Sequence, residues 1–261
     1  MKKITCLFIF LGLFTQVFPQ GPYKIRPVID IPIIVGGAGA SLLGLQYLRD
    51  KPYLDPAYVA GLKPEDVNKF DRGATKYKNG SKHSLQSDIA LYSSFLLPVF
   101  LKIDKEINKD ALKVGVLYLQ TMAIMANTYV WGVGSTERIR PYVYNPEVPF
   151  EKKLGRGTTN SFFAGHPAAA AASSFFVAKV YSDYHPESNF RKVLWGAALV
   201  PPLVVAYYRY KDGQHFPTDI MAGIPIGAAI GIIVPHLHKV KNKTQVQLFP
   251  APGGIGLLYR W

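Results

Sequence analysis

Two stretches of this chain, Val193 to Tyr208 and Ile220 to Pro235, contain no charged residue at all. A helix of that composition has no face to offer water, so it must be buried on all sides or lie in lipid. Four further stretches are nearly as apolar: Ile31 to Leu48, Ile89 to Ile103, Ala111 to Trp131 and Pro167 to Tyr181. None alternates polar and apolar residues as a half-buried strand does, and their Ala, Leu, Ile and Met content favours helix. The pattern predicts an all-α fold, a membrane helical bundle of about five or six helices. The segments run to roughly 15 to 21 residues, at or just under the ~20 that a bilayer crossing needs. Pro201-Pro202 and Pro225 would kink two of them, which neighbouring helices in a bundle tolerate.

Composition narrows the partners. With 49% hydrophobic and 18% charged residues among 261, the chain is not of the disordered class. Lys and Arg outnumber Asp and Glu by 30 to 17, a net charge of +13. The basic residues are scattered around the apolar stretches and form no stripe, and no Gly-rich nucleotide loop is present. The excess therefore suits a lipid bilayer surface or a phosphorylated substrate, and no nucleic-acid partner is expected. The lone cysteine, Cys6, excludes a disulfide framework and a Cys-based zinc site.

Along the chain, Met1-Lys2-Lys3 and the apolar run Ile4 to Phe18 make residues 1–20 a signal peptide by pattern; the missing A-x-A before Gly21 leaves an uncleaved anchor as the alternative. Residues 21–87 hold a helix and a long loop, 88–240 the core, and 241–261 a tail that reads as strand, turn, strand, a short β-hairpin. Short connections carry Lys105, Lys109 and Lys113, then Lys179, Arg191 and Lys192, then Lys239, Lys241 and Lys243, which the positive-inside tendency places in the cytoplasm. The longer connections, 50–88, 132–166 and 209–219, then face the periplasm. A cleaved signal plus a complete crossing by Ile31 to Leu48 would reverse that orientation, so this helix is expected to stop short of a full crossing.

Three fragments could carry chemistry. In Arg209-Tyr-Lys-Asp-Gly-Gln-His215-Phe-Pro-Thr-Asp219, His215 and Asp219 are four positions apart at a helix start. A carboxylate at that reach can hold one imidazole nitrogen and leave the other nucleophilic; the plainer reading is an Asp cap beside a loop His. In Ser161-Phe-Phe-Ala164-Gly165-His166-Pro167, glycine permits close backbone approach, and a helix start offers free N–H groups to an anion. His166 there could bind phosphate, donate a proton to a leaving oxygen, or simply cap the helix. Arg138-Ile-Arg140-Pro141 follows an apolar helix, where an arginine is either a ligand clamp or a headgroup contact. Each fragment lies where an apolar helix meets a long loop. Two guanidiniums, a helix start, two histidines and a carboxylate together form a consistent phosphoryl-transfer set that requires no metal and no cofactor.

Over roughly residues 88–237 the sequence resembles the type 2 phosphatidic acid phosphatase (PAP2) superfamily, which includes membrane lipid phosphatases, soluble bacterial acid phosphatases and vanadium haloperoxidases. The family pattern is Lys-x6-Arg-Pro, Pro-Ser-Gly-His and Ser-Arg-x5-His-x3-Asp. The resemblance implies His215 as a nucleophile forming phosphohistidine, Asp219 as its orienting partner, and His166 as the acid that protonates the leaving oxygen. Arg140, Arg209 and the Gly165 N–H would hold the phosphoryl oxygens. It implies as substrate a phosphorylated lipid: a polyprenyl diphosphate, a lipid A phosphate or a phosphatidate-like molecule. The site would lie in the inner membrane and open toward the periplasm. A soluble periplasmic acid phosphatase and a catalytically degraded lipid-binding membrane protein are the alternatives.

Three positions depart from the pattern. Val133 stands at the lysine position, Ala164 at the serine before Gly165, and Tyr208 before Arg209. Losing one oxyanion donor costs ~10²- to 10³-fold in turnover. Arg138, Lys152 or Lys153 is expected to supply a replacement cation. The absent lysine argues against a haloperoxidase. Asp71-Arg72 reads as a local ion pair, Asp88 as a helix cap, and His236 with His238 as an interfacial cap.

Overall fold

The computed structural model describes residues 21–80, 82–240, 245–251 and 254–260; the signal-like segment 1–20 lies outside them. Seven principal helices form the bundle: α1 (Pro27–Arg49), α2 (Lys82–Phe95), α3 (Ala111–Gly134), α4 (Gly165–Tyr184), α5 (Phe190–Ala197), α6 (Val200–Lys211) and α7 (Pro217–His238). Each lies over one apolar stretch, except that Val193 to Tyr208 is divided. There Leu199 caps α6, and Pro201 falls in its first turn, where a missing N–H costs nothing. Likewise α2 gives way to a 3₁₀ segment, Leu97–Ile103, with Pro98 at its start. In the tail, β1 (Gln245–Ala251) pairs antiparallel with β2 (Gly254–Arg260).

Among the described residues, four spans are long and apolar enough to cross a membrane: Pro27–Arg49, His83–Ile103, Phe190–Lys211 and Pro217–His238. These helices also bear large apolar side chains on the outside, among them Val28, Leu42, Leu43, Ile89, Val200, Leu203, Met221 and Leu237. An apolar exterior on this scale fits a membrane protein. Over Ile31 to Leu48, expected to stop short of a full crossing, the helix is one of these spans by length and composition. Helix α1 has 23 residues, about 34 Å at 1.5 Å per residue, and it packs against α3 along its length. Asp30 meets Gln120 at one end, and Tyr47 reaches the Gly134 carbonyl at the other.

Helix α4 is the axis. Ala168, Ala170, Ala171, Ala172, Ser173 and Phe176 are all fully buried in it, because it is covered by α3, α6 and α7 in turn. Its closest neighbour is α7, and the reason is a repeat of glycine at every fourth position. A Cβ on Gly223, Gly227 or Gly231 would come within 2.5, 1.9 or 2.4 Å of the carbonyl oxygens of Ala164, Ala168 and Ala172. Only bare backbone allows that approach, as at small-residue crossings between membrane helices. The contact sets α4 and α7 side by side at their N-termini, where Ala164 N–H donates to the Asp219 carbonyl (3.1 Å).

The bundle has two polar ends. At one, Tyr23 and Lys239 bond Asp183, Tyr184 bonds Asp110, and His238 Nε2 pairs with Asp30 at 2.9 Å, so His238 closes an N-terminal tether and is not an interfacial cap. At the other, the connections 50–80, 135–164 and 212–216 meet: Asn145 bonds the Tyr77 carbonyl, Tyr142 N–H bonds that of Gly213, and Lys51 bonds Asn160.

Candidate active site

Every sequence-predicted site residue lies at this second end. His166 is in the first turn of α4, Arg209 in the last turn of α6, Asp219 in the first turn of α7, and Arg140 just before a 3₁₀ turn, Pro141–Tyr144. His215 lies in the tight link between α6 and α7. That link turns through Gly213, whose φ is +65° and whose Cβ, if present, would stand 2.8 Å from the Tyr77 carbonyl oxygen. Gly165 is bare for a different reason: a Cβ there would sit 2.2 Å from the Tyr129 ring.

His215 is almost wholly buried, and its Nδ1 lies 2.7 Å from the Ser161 carbonyl oxygen. A carbonyl can only accept, so Nδ1 carries the proton and Nε2 keeps its lone pair. The sequence pointed to Asp219 for this role. Asp219 instead stands 4.0 Å from Nδ1 and is engaged elsewhere. Its Oδ2 accepts from the Ser161 hydroxyl (2.6 Å) and the Phe216 N–H (2.8 Å), and its Oδ1 from Arg138 (2.5 Å). Asp219 therefore fixes Ser161, and Ser161 fixes the imidazole.

Behind this pair is a residue that sequence reasoning misplaced. Asp71 is not paired with Arg72, whose guanidinium bonds the Val67 and Glu65 carbonyls. Asp71 is fully buried and accepts from Arg138 (2.7 Å), from both the N–H and hydroxyl of Thr218 (3.1 and 2.7 Å), and from Asn68 (3.0 Å). Burial pushes its carboxyl up, but the Asn68, Thr218 and Arg138 hydrogen bonds outweigh it and hold the group below the usual carboxylate range. Arg138 thus bridges Asp71 and Asp219 beneath the site, stacked on the Phe216 ring, and is not the replacement cation. Lys51, buried, gives its ammonium protons to Val133 O, Thr136 O and Asn160 Oδ1. It ties the end of α3 to the strand of chain that carries Ser161.

The cations that act on the two imidazoles are Arg140 and Arg209. Burial first, then Arg140, His166 and Arg209, hold His215 well below the usual imidazole range, against the opposing Ser161 carbonyl. Burial, then Arg209 and Arg140, lower His166 likewise. Arg140 is aimed by the Gly157 carbonyl (2.9 Å) and by the carbonyl and side-chain oxygens of Gln214 (3.0 and 2.7 Å). Arg209 Nη2 bonds Asp88 Oδ1 at 2.6 Å, and its buried Nε has no partner among the described residues. Asp88 is therefore no helix cap. Asp71, Arg138 and Asp88 carry no local sequence signal, because their partners are far away in the chain.

Two guanidiniums and two neutral-leaning imidazoles at adjoining helix starts suit an oxyanion with a nucleophile beside it. The PAP2 superfamily model matches residues 110–243, just over half of the chain. The chain belongs to the PAP2 superfamily. That membership supports a phosphatase-type function, and the matched region holds Arg140, His166, Arg209, His215 and Asp219. Asp71 and Asp88 lie outside it. No curated protein and no solved structure matches the chain significantly.

Proposed function

We propose that the protein is a membrane-bound, metal-independent phosphatase that removes a phosphate from a lipid phosphomonoester or diphosphate through a phosphohistidine. In the first step His215 Nε2 attacks phosphorus in line, the P–O bond to the leaving group breaks, and His166 gives that oxygen its proton. Arg140 and Arg209 take up the charge on the equatorial oxygens. In the second step His166 accepts a proton from water as the water oxygen attacks phosphorus. The P–N bond breaks, and inorganic phosphate leaves with His215 restored.

The observation that carries this reading is the convergence of His166, His215, Arg140 and Arg209 at one end of the bundle, where Arg209 and His166 share Asp88 and Arg140 is held by Gln214 beside His215. A lipid substrate is supported by the apolar outer faces of α1, α2, α6 and α7, which argue against the soluble alternative. We place the site on the periplasmic side of an inner membrane, with the Lys102–Lys113 and Arg191–Lys192 connections in the cytoplasm. The test is phosphate release from phospholipid and polyprenyl diphosphate panels, comparing wild type with His215→Ala in the presence of chelator. Release that chelator spares and the substitution abolishes supports the reading. Vanadate binding without His215-dependent release supports a second reading, a lipid-phosphate binder, which Val133 and the carboxylate on Arg209 favour.

A further inference from the structure

Asp88 places a half-exposed carboxylate against the proposed phosphoryl cradle, whereas Asp212, which also acts on Arg209, is fully buried behind it. Asp88 comes from α2, outside the family-matched region, and sits with Oδ1 2.6 Å from Arg209 Nη2 and 3.6 Å from His166 Nε2. Arg209 is only 11% exposed whereas Asp88 is 42% exposed. The guanidinium is thus largely buried, and the carboxylate on its Nη2 is the more exposed of the pair. An anion that binds Arg209 must take the place of Asp88 or share the guanidinium with it.

Such a competition sorts phosphates by charge. A phosphodiester carries one negative charge over two oxygens, no more than the carboxylate already in place, and it gains nothing by displacing a tethered group of equal charge. A terminal phosphate carries up to two negative charges over three oxygens and forms more charge-assisted hydrogen bonds with Arg209 and Arg140. In a membrane almost every headgroup surrounding the site is a diester. An unguarded pair of arginines at a helix start would be filled by them continuously.

We propose that Asp88 is a specificity-determining residue that keeps phosphodiester headgroups off Arg209 and admits only terminal phosphate groups. This rests on the reading of the site as a phosphatase centre. It assigns to Asp88 the rejection of diester competitors of the lipid phosphate ends already proposed as substrate.

The test measures binding to purified, detergent-solubilised protein by titration calorimetry, with inorganic phosphate, glycerol 3-phosphate and the diester glycerophosphoglycerol as probes. Wild type should bind glycerol 3-phosphate at least ~10-fold more tightly than the diester. Asp88→Asn and Asp88→Ser, which remove the charge from a half-exposed side chain, should bring the two affinities to within about threefold, chiefly by tighter diester binding. Asp88→Glu should keep the discrimination. An unchanged ratio in both neutral variants overturns the proposal, as does diester binding by wild type equal to that of the monoester. Failure of wild type and all variants to bind inorganic phosphate would instead overturn the phosphatase reading on which it rests.

Discussion

Ser161 holds His215 by its backbone and Asp219 by its side chain: the carbonyl lies 2.7 Å from Nδ1 of the ring, and the hydroxyl 2.6 Å from Oδ2 of the carboxylate. The carboxylate therefore reaches the imidazole through one intervening residue. Asp219→Asn keeps the size and one acceptor but loses the charge facing Arg138. It should lower kcat by ~10- to 10²-fold with little change in KM, less than the loss from His215→Ala. Steady-state kinetics on a monoester substrate reads this directly. Equal losses in the two variants would mean that Asp219 acts on the ring itself.

The Asp71–Arg138 pair supports the same assembly from below. Arg138→Gln leaves Asp71 fully buried without its cation, and should cost ~3 kcal/mol of stability, seen as a lower denaturation midpoint in detergent. Asp71 has a lowered carboxyl pKa in the folded chain, so its contribution is fully present above the unfolded value of ~3.9 and is lost as pH falls through the lowered one. Asp71→Asn should therefore flatten the acid limb of the stability curve.

The glycine seam between α4 and α7 fixes the spacing of His166 and His215. Gly227→Ala places a methyl where the Ala168 carbonyl now stands. Forcing the helices apart should destabilise the protein by about 1–3 kcal/mol and reduce turnover together with it. Gly36→Ala and Gly39→Ala, where nothing lies within 4 Å of the added carbon, are the controls and should change neither. Thermal denaturation and phosphate release measured on the same preparations test the pairing.

Activity should peak on the acid side of the ordinary imidazole pKa, ~6.5. His166 must carry a proton to protonate the leaving oxygen, and Arg209 and Arg140 add to burial in lowering its pKa; kcat/KM should fall as pH rises through that lowered value. Bound phosphate offsets the two guanidiniums, so the same limb of the kcat profile should lie at higher pH. Stability runs the other way. Both rings favour the neutral form when folded, so stability is complete above ~6.5 and declines as pH falls below it. Profiles of kcat/KM and kcat with coincident basic limbs would remove His166 from the acid role.

A complete crossing by α1 would have a consequence for orientation. Gly21 to Arg26 lie at the bundle end opposite the site, so with α1 crossing, a periplasmic site and an exported leader at 1–20 would exclude each other. Cysteine labelling in a Cys6→Ser background should modify Ser135→Cys, near the site, from the periplasm, and leave Ser188→Cys protected until the membrane is opened. The reverse pattern would turn the site toward the cytoplasm.

The sequence made the helices legible because absence of charge over about five turns leaves few alternatives, and it made Arg140, His166, Arg209 and His215 legible because each sits at the junction of such a stretch with a loop. What it concealed was relational. The Gly223, Gly227, Gly231 seam emerged only from the structure, because its partner, the carbonyl row of α4, has no side-chain signature. Asp71 and Asp88 sit in ordinary loop and helix contexts. Only their tertiary partners, 67 residues on at Arg138 and 121 on at Arg209, reveal them. Asp219 looked like a direct partner of His215 because the i, i+4 spacing suits it; the Ser161 carbonyl takes that place because backbone is available closer to the ring.

The proposed mechanism turns on covalent phosphorylation of His215. Rapid quench of the protein with a lipid monoester labelled in its phosphate would trap that species. The expected result is an acid-labile, base-stable label that maps to the His215 peptide and is lost in His215→Asn, with phosphate release lost in parallel. Unlabelled protein during active turnover, or undiminished phosphate release by His215→Asn, would contradict it.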